Sequence, residues 1–271
     1  MATTQSIGFI GGGNMAEALI KGLLAQGQPA DRMLVSDPSP VRQTLLRDVY
    51  KVEVAASNRE VAGQCRLLVL AIKPQMVQTV VPELAGTVTA EHLVVSILAG
   101  TATATLERLL GGGVRVVRAM PNTPALVGSG ATALCAGCQA TATDLEIAGA
   151  LFRSVGTVCT VNEEQMDAVT GLSGSGPAYI FTVIEALADG GVKEGLPRSV
   201  ALELATRTVL GAARLVAESG EEPALLRQKV CSPGGTTLAG LTALEDGGLS
   251  ATLIEAVARA TRRSKELGQS T

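Results

Sequence analysis

Two glycine-rich turns, each leading into a helical pattern, carry most of the chemistry this chain could perform. Gly11-Gly12-Gly13-Asn14-Met15-Ala16 follows the apolar run Ile7 to Ile10. Between a strand and a helix, G-x-G-x-x-A is the dinucleotide fingerprint. Gly11 makes the tight turn, Gly13 lets the backbone approach a pyrophosphate, and Ala16 keeps helix and strand close. Gly12, Asn14 and Met15 complete the cradle, where free N–H groups favour an anion. The alternative is a glycine turn that binds nothing, which the strand–helix context disfavours. The next strand ends Val35-Ser36-Asp37. An acid there bonds the ribose hydroxyls of NAD, whereas Ser36, Ser39 and Arg42 suit the 2′-phosphate of NADP. Both NADPH and NADH therefore stay open.

The second turn, Pro233-Gly234-Gly235-Thr236-Thr237, precedes a helical pattern from Leu238 to Asp246. Glycines that permit a nest, followed by a helix start, make another anion cradle. It lacks G-K-[ST], so it is not a nucleotide P-loop. A substrate carboxylate fits better than a phosphate; an ordinary capped helix start is the competing reading.

Other reactive residues carry less. His92, the single histidine, precedes the strand Leu93 to Ile97. Ligands on parallel α/β sheets bind at the carboxyl ends of strands, so His92 should face away from the site. Cys135 and Cys138 have redox or zinc spacing, but no second pair accompanies them, and no metal is expected. Lys73 follows a buried strand at its carboxyl end, so it either touches cofactor or substrate or is simply solvated there. Glu163 either meets a ligand or merely caps the first helix after a domain boundary.

The elements that must position these residues read as α/β. Ile7 to Ile10, Met33 to Val35, Leu67 to Ile72, Leu93 to Ile97 and Val114 to Val117 are short β-branched runs with helical patterns such as Met15 to Gln26 and Thr103 to Leu110 between them. That alternation implies βαβ units and a doubly wound parallel sheet. Ala131 to Cys135 and Val155 to Val161, around a helix near Thr143 to Arg153, should finish it. From Asn162 onward no strand is expected, and helices should cover Pro177 to Val192, Pro197 to Ser219, Pro223 to Val230, Leu238 to Asp246 and Ser250 to Leu267. The polar step Asn162-Glu163-Glu164 suggests two domains, 1–162 and 163–271. In Pro197 to Ser219 the charges Glu203, Arg207, Arg214 and Glu218 make one narrow stripe. A helix apolar on nearly all other sides must be enclosed, and a partner chain is the expected cover.

Bulk properties exclude some classes. A net charge of −3, with three Phe, two Tyr and no Trp, argues against nucleic acid as a partner. Met1 to Ser6 has no basic n-region and is not expected to be a signal peptide. The uncharged stretch Ala119 to Thr143 is broken by Pro121, Pro124 and glycines, so no membrane span is expected. Five cysteines without secreted-domain spacing suggest reduced thiols in the cytoplasm.

The chain resembles the pyrroline-5-carboxylate reductase family over nearly its whole length. The likeness runs through Ile7 to Ala16, Ala71-Ile72-Lys73-Pro74-Gln75, Arg118-Ala119-Met120-Pro121-Asn122-Thr123-Pro124, Asp167 to Tyr179 (DAVTGLSGSGPAY) and Ser232 to Thr237. The resemblance implies an N-terminal Rossmann-type domain and a C-terminal all-helical dimerisation domain. It also implies reduction of 1-pyrroline-5-carboxylate to L-proline by a homodimer with shared active sites, which a higher oligomer of dimers would extend. By the same likeness Ser36, Asn58, Ala71, Ile72, Lys73, Pro74, Leu98, Ala99, Gly100 and Asn122 line the cofactor, and Glu163, Gly235, Thr236 and Thr237 meet the substrate. Thr237 would be the catalytic group, as an orienting hydroxyl and proton relay. Lys229 stands near the cofactor where many members carry a polar amide, and Asp37 departs from the family's commoner small polar residue.

Two rivals are weighed against this. A β-hydroxyacid dehydrogenase shares the architecture and resembles G-x-x-G-x-G-x-x-x-K. Gly171, Gly174 and Gly176 fit, but Ile180 replaces the catalytic lysine and cannot accept a proton. A catalytically silent NAD(P)-binding sensor would need the first glycine turn and not the second.

Overall fold

The computed structural model describes residues 6–269, so Met1 to Gln5 of the N-terminal segment considered above lie outside them. Its first part alternates strand and helix. The order is β1 (Ile7–Ile10), α1 (Asn14–Ala25), β2 (Met33–Ser36), α2 (Pro40–Asp48), β3 (Glu53–Val54), α3 (Asn58–Gln64), β4 (Leu67–Leu70), α4 (Val77–Glu83), β5 (Leu93–Ser96), α5 (Thr103–Leu110), β6 (Arg115–Met120), β7 (Gly130–Ala136), α6 (Ala142–Arg153) and β8 (Gly156–Thr160). The strands form one sheet in the order β3-β2-β1-β4-β5-β6-β7-β8. β1 to β6 run parallel, and every residue of β1, β2, β4 and β5 is buried.

Period-two alternation divides the side chains between two apolar layers. Ile7 and Phe9 join Leu19 of α1, Leu46 of α2 and Phe152 of α6 on one face. Ile10, Leu68 and Leu70 join Val61 of α3, Val81 of α4 and Leu106 of α5 on the other. Truncating a fully buried side chain such as Phe152 would cost about 3–5 kcal/mol.

The sheet is mostly parallel, as expected, with one reversal. β7 runs antiparallel to β6, with Val117 opposite Ala136 and Ala119 opposite Leu134. Only Pro121 to Ser129 link the two strands, and a parallel return needs a crossover of roughly a dozen residues or more. α6 supplies that length between β7 and β8, which are parallel. β3, α2 and α3 also went unread; a strand of two residues leaves no periodic pattern.

After β8 the described residues contain no further strand. A short helix α7 (Met166–Val169) passes into a π-helical turn, Thr170–Gly174. Then follow α8 (Gly176–Lys193), α9 (Arg198–Ser219), α10 (Pro223–Lys229), α11 (Thr236–Asp246) and α12 (Leu249–Gln269). The chain forms two compact units: one of residues up to Ser175 with those from Ala258, the other Gly176–Val257. The polar step at 162/163 marks the end of the sheet, but the packing continues past it. Met166 is fully buried against Ala133 and Cys135, and Ser264 on the last part of α12 donates to Asp167 Oδ1 at 2.6 Å.

The second unit has almost no core of its own. Ala188, Ala201 and Ala205 are its buried apolar residues, where α8 meets α9. Phe181, Leu204, Leu215 and Ile254 stand 63%, 54%, 53% and 70% exposed. Folding cannot be driven by three alanines, so these faces require a cover.

Candidate active site

The carboxyl ends of β1, β2 and β4 are drawn together by backbone hydrogen bonds. The Gly11 N–H donates to Ser36 O at 2.8 Å, and the Ala71 N–H donates to Ile10 O at 2.8 Å. Gly11 has φ +98°, and a Cβ on it would lie 2.6 Å from Ala71 O; only glycine fits there. Gly13 differs. A Cβ on it would meet nothing within 4 Å, so its glycine leaves space above the turn instead of relieving a clash inside the fold. Gly13 also heads α1, and no side chain caps that helix start. An open, uncapped helix N-terminus fits the pyrophosphate of a dinucleotide.

Asp37 braces this turn from below. Its Oδ2 accepts from the Gly12 N–H at 2.7 Å and its Oδ1 from the Ser39 N–H at 2.8 Å. Arg42 reaches the same turn, donating from Nε to Gly12 O at 2.6 Å and from Nη2 to Glu17 Oε2 at 2.7 Å. The Tyr50 hydroxyl donates to Glu17 Oε1 at 2.8 Å. Partial burial alone would raise the Glu17 carboxyl, but the Tyr50 hydroxyl and the Arg42 guanidinium outweigh it and hold the group below its ordinary value.

The other expected cofactor residues in this unit cluster at the same edge of the sheet. Asn58 opens α3, whose start is capped by Ser57 Oγ accepting from the Glu60 N–H at 3.2 Å. Ala71 and Ile72 follow β4, Lys73 is exposed, and Pro74 begins a 3-10 turn, Pro74–Met76. Ala99 and Gly100 follow β5. Asn122 follows β6 but is structurally engaged: its Oδ1 accepts from the Ala131 N–H at 2.9 Å, and its Nδ2 donates to Ser173 Oγ at 3.3 Å.

Glu163 is also engaged. Its Oε1 accepts from Arg118 Nη1 at 2.5 Å, and its Oε2 accepts from the Thr103 N–H and from Cys135 Sγ, each at 3.4 Å. Burial would raise the Glu163 carboxyl, but Arg118 and the Thr103 N–H hold it below its ordinary range. Burial, with the Glu163 charge beside it, pushes the Cys135 thiol up to about 12. The role of Arg118 is not evident from its motif alone. The signal was an arginine inside the apolar run Val116-Val117-Arg118-Ala119, because a buried charge in a strand needs a partner.

In the second unit, Gly234 has φ +68° and the Gly235 N–H donates to Ser232 O at 2.9 Å. Gly235 heads α11 without a side-chain cap, so Thr236 and Thr237 form its exposed first turn rather than a preceding loop. This is a second open helix start. Lys229, at the end of α10, is ion-paired with Glu221.

The decoys resolve structurally. His92 is fully buried at the amino end of β5; its Nδ1 accepts from the Thr89 N–H at 3.0 Å, which leaves the ring proton on Nε2, 3.0 Å from Ala62 O. Cys138 donates to Glu107 Oε2 at 3.0 Å, whereas Cys135 faces Glu163. All five cysteines are free. Among the described residues no helix is long and apolar enough to cross a membrane.

Residues 163–267 match the family described as pyrroline-5-carboxylate reductase dimerisation, and residues 6–100 match that described as NADP oxidoreductase, coenzyme F420-dependent. A pyrroline-5-carboxylate reductase of Synechocystis is 48% identical over 97% of this chain and 98% of its own. Among solved structures, a pyrroline-5-carboxylate reductase of Coxiella burnetii superposes with a TM-score of 0.92 at 40% identity, covering 98% of this chain and 99% of its own. The Plasmodium falciparum pyrroline carboxylate reductase with NADP bound gives 0.89 at 32% identity, covering 99% and 100%.

Proposed function

This chain belongs to the pyrroline-5-carboxylate reductase family, and on that premise we propose that it reduces 1-pyrroline-5-carboxylate to L-proline, the last step of proline biosynthesis. It is an NAD(P)H-dependent oxidoreductase. The observation that carries the reading is the presence of two uncapped, glycine-headed helix starts, at Gly13 and at Gly235. A sensor that only bound the dinucleotide would need the first alone.

The cofactor, when bound, supplies a hydride. The rest of the work is placement. The Gly11–Met15 turn holds the pyrophosphate, with Ser36 and Asn58 on the ribose side. Ala71, Ile72, Lys73, Pro74, Ala99, Gly100 and Asn122 line the approach to the nicotinamide. The backbone N–H groups of Thr236 and Thr237 receive the substrate carboxylate. The Thr237 hydroxyl orients the ring nitrogen, so that the C=N carbon faces the hydride donor while the nitrogen keeps its proton. Glu163, anchored by Arg118, borders the substrate.

The protein works as a homodimer, in keeping with the coreless faces of α8 and α9. Each site combines the glycine turn of one protomer with Thr236 and Thr237 of its partner. Five unpaired cysteines support a cytoplasmic home. The test is loss of reduced-cofactor absorbance on adding pyrroline-5-carboxylate, run with both NADH and NADPH, with proline measured as product. Binding of either nucleotide without any consumption would leave the sensor reading standing and sink this one.

A further inference from the structure

The end of β2 carries a second decision beyond binding: which nicotinamide nucleotide is accepted. Residues that discriminate a free 2′-hydroxyl from a 2′-phosphate lie here in dinucleotide-binding sheets, an acid favouring the hydroxyl and an arginine the phosphate. This chain has both, Asp37 and Arg42. Their hydrogen bonds show that they are not equally available.

Asp37 is fixed. Two backbone N–H groups, of Gly12 and Ser39, hold one carboxylate oxygen each at 2.7 and 2.8 Å. A carboxylate oxygen accepts more than one hydrogen bond, so a ribose hydroxyl can still donate to it, whereas a phosphate dianion would meet its charge. Arg42 is turned away and neutralised: two of its five N–H donors, on Nε and Nη2, are directed to Gly12 O and Glu17 Oε2, and the Glu17 carboxylate offsets its charge. Glu17 in turn is oriented by Tyr50. The Arg42 and Glu17 side chains are each only 22% exposed, so water screens the pair weakly.

We propose that Glu17 is the specificity-determining residue of this cofactor site: by neutralising and orienting Arg42 it withholds that cation from a 2′-phosphate, and with Asp37 in place the site prefers NADH to NADPH. Glu17 is a positioning residue, acting through Arg42. The proposal rests on reading Gly11–Ala16 as the pyrophosphate turn, and its test separates the two.

The probes are ADP-ribose and its 2′-phosphate, titrated calorimetrically into the full-length protein, which removes hydride transfer from the readout. Wild type should bind ADP-ribose roughly tenfold more tightly. Glu17→Gln frees Arg42, and a charged hydrogen bond gained should shift the ratio toward the 2′-phosphate by about tenfold or more, while ADP-ribose affinity changes little. Tyr50→Phe, which loosens Glu17 without removing its charge, should shift the ratio in the same direction by less and guards against a misfolded Glu17 variant. Adding Arg42→Gln to Glu17→Gln should return the ratio to the wild-type side. An unchanged ratio in folded Glu17→Gln, or a shift that persists without Arg42, overturns the proposal. Failure of wild type to bind either probe overturns the pyrophosphate reading beneath it.

Discussion

Arg118 Nη1 lies 2.5 Å from Glu163 Oε1, tying the middle of β6 to the first turn beyond β8. The arginine side chain is 5% exposed and the glutamate 32%. Its other guanidinium nitrogen, Nη2, stands 3.9 Å from Asp167, which Ser264 of α12 also contacts. The pair therefore sits where the sheet, the α7 segment and the end of α12 converge.

Glu163→Gln removes the counter-charge of a buried arginine. Breaking a fully buried pair costs about 3–5 kcal/mol; with a third of Glu163 in water, about 2–3 kcal/mol is expected here. Because the folded protein holds Glu163 below its ordinary value, the stabilisation is complete above the unfolded carboxyl's pKa of about 4.3. It is lost as pH falls through the lower, folded pKa. Thermal melts across that range should show a shallower acid decline for Glu163→Gln than for wild type. Parallel curves would mean that the pair contributes nothing to acid sensitivity.

Gly11 and Gly13 stand two residues apart and should fail in opposite ways. Gly11→Ala puts a Cβ 2.6 Å from Ala71 O in a backbone with φ +98°, so melting temperature should fall by the equivalent of about 1–3 kcal/mol. A Cβ at Gly13 meets nothing within 4 Å, so Gly13→Val should melt like wild type, yet lose nucleotide binding. Circular dichroism melts paired with nucleotide titration distinguish the two; intact binding in folded Gly13→Val would end the pyrophosphate assignment.

The contrast shows what the sequence could and could not convey. The turn, its helix and the strand before it were legible because glycine spacing and β-branched runs are local signals. Gly11 and Gly13 look alike in sequence, and only the folded backbone separates them, by the approach of Ala71 and the positive φ at Gly11. Likewise Asp37 reads as a ribose ligand, but its Gly12 and Ser39 contacts require knowing how β2 lies against β1. Arg118 and Glu163 are far apart in the chain, so no spacing rule pairs them. The reversal at β7 was in principle available, since the link from Pro121 to Ser129 is too short for a crossover. The polar step Asn162-Glu163-Glu164 carries no sign that Met166, a few residues later, packs back on Ala133 and Cys135.

Thr237→Ala tests the second helix start. Losing one hydroxyl hydrogen bond to a charged substrate should cost roughly 1.5–3 kcal/mol, or about 10- to 100-fold in kcat/KM. Cofactor affinity should hardly move, because Thr237 lies in the exposed first turn of α11, whose N–H groups we assign to the substrate carboxylate. Steady-state kinetics indistinguishable from wild type would reduce Thr237 to a helix start with no role in turnover.

Sharing of the active site between protomers can be tested by complementation. The second unit buries three alanines and leaves Phe181, Leu204 and Ile254 exposed, so a partner chain must cover it for the fold to be stable. If that partnering also brings Thr237 of one protomer to the nicotinamide held by the other, lesions in the two turns fall in different chains of one site. Gly13→Val and Thr237→Ala proteins would be dissociated, mixed and reassociated. A mixed dimer built in trans then contains one doubly defective site and one wild-type site, and activity should rise above that of either parent. With sites built within a single chain, every site keeps one lesion and no gain is possible. Native mass spectrometry fixes how much mixed dimer has formed. Abundant mixed dimer with no gain in activity would rule out the shared site while leaving the dimer itself intact.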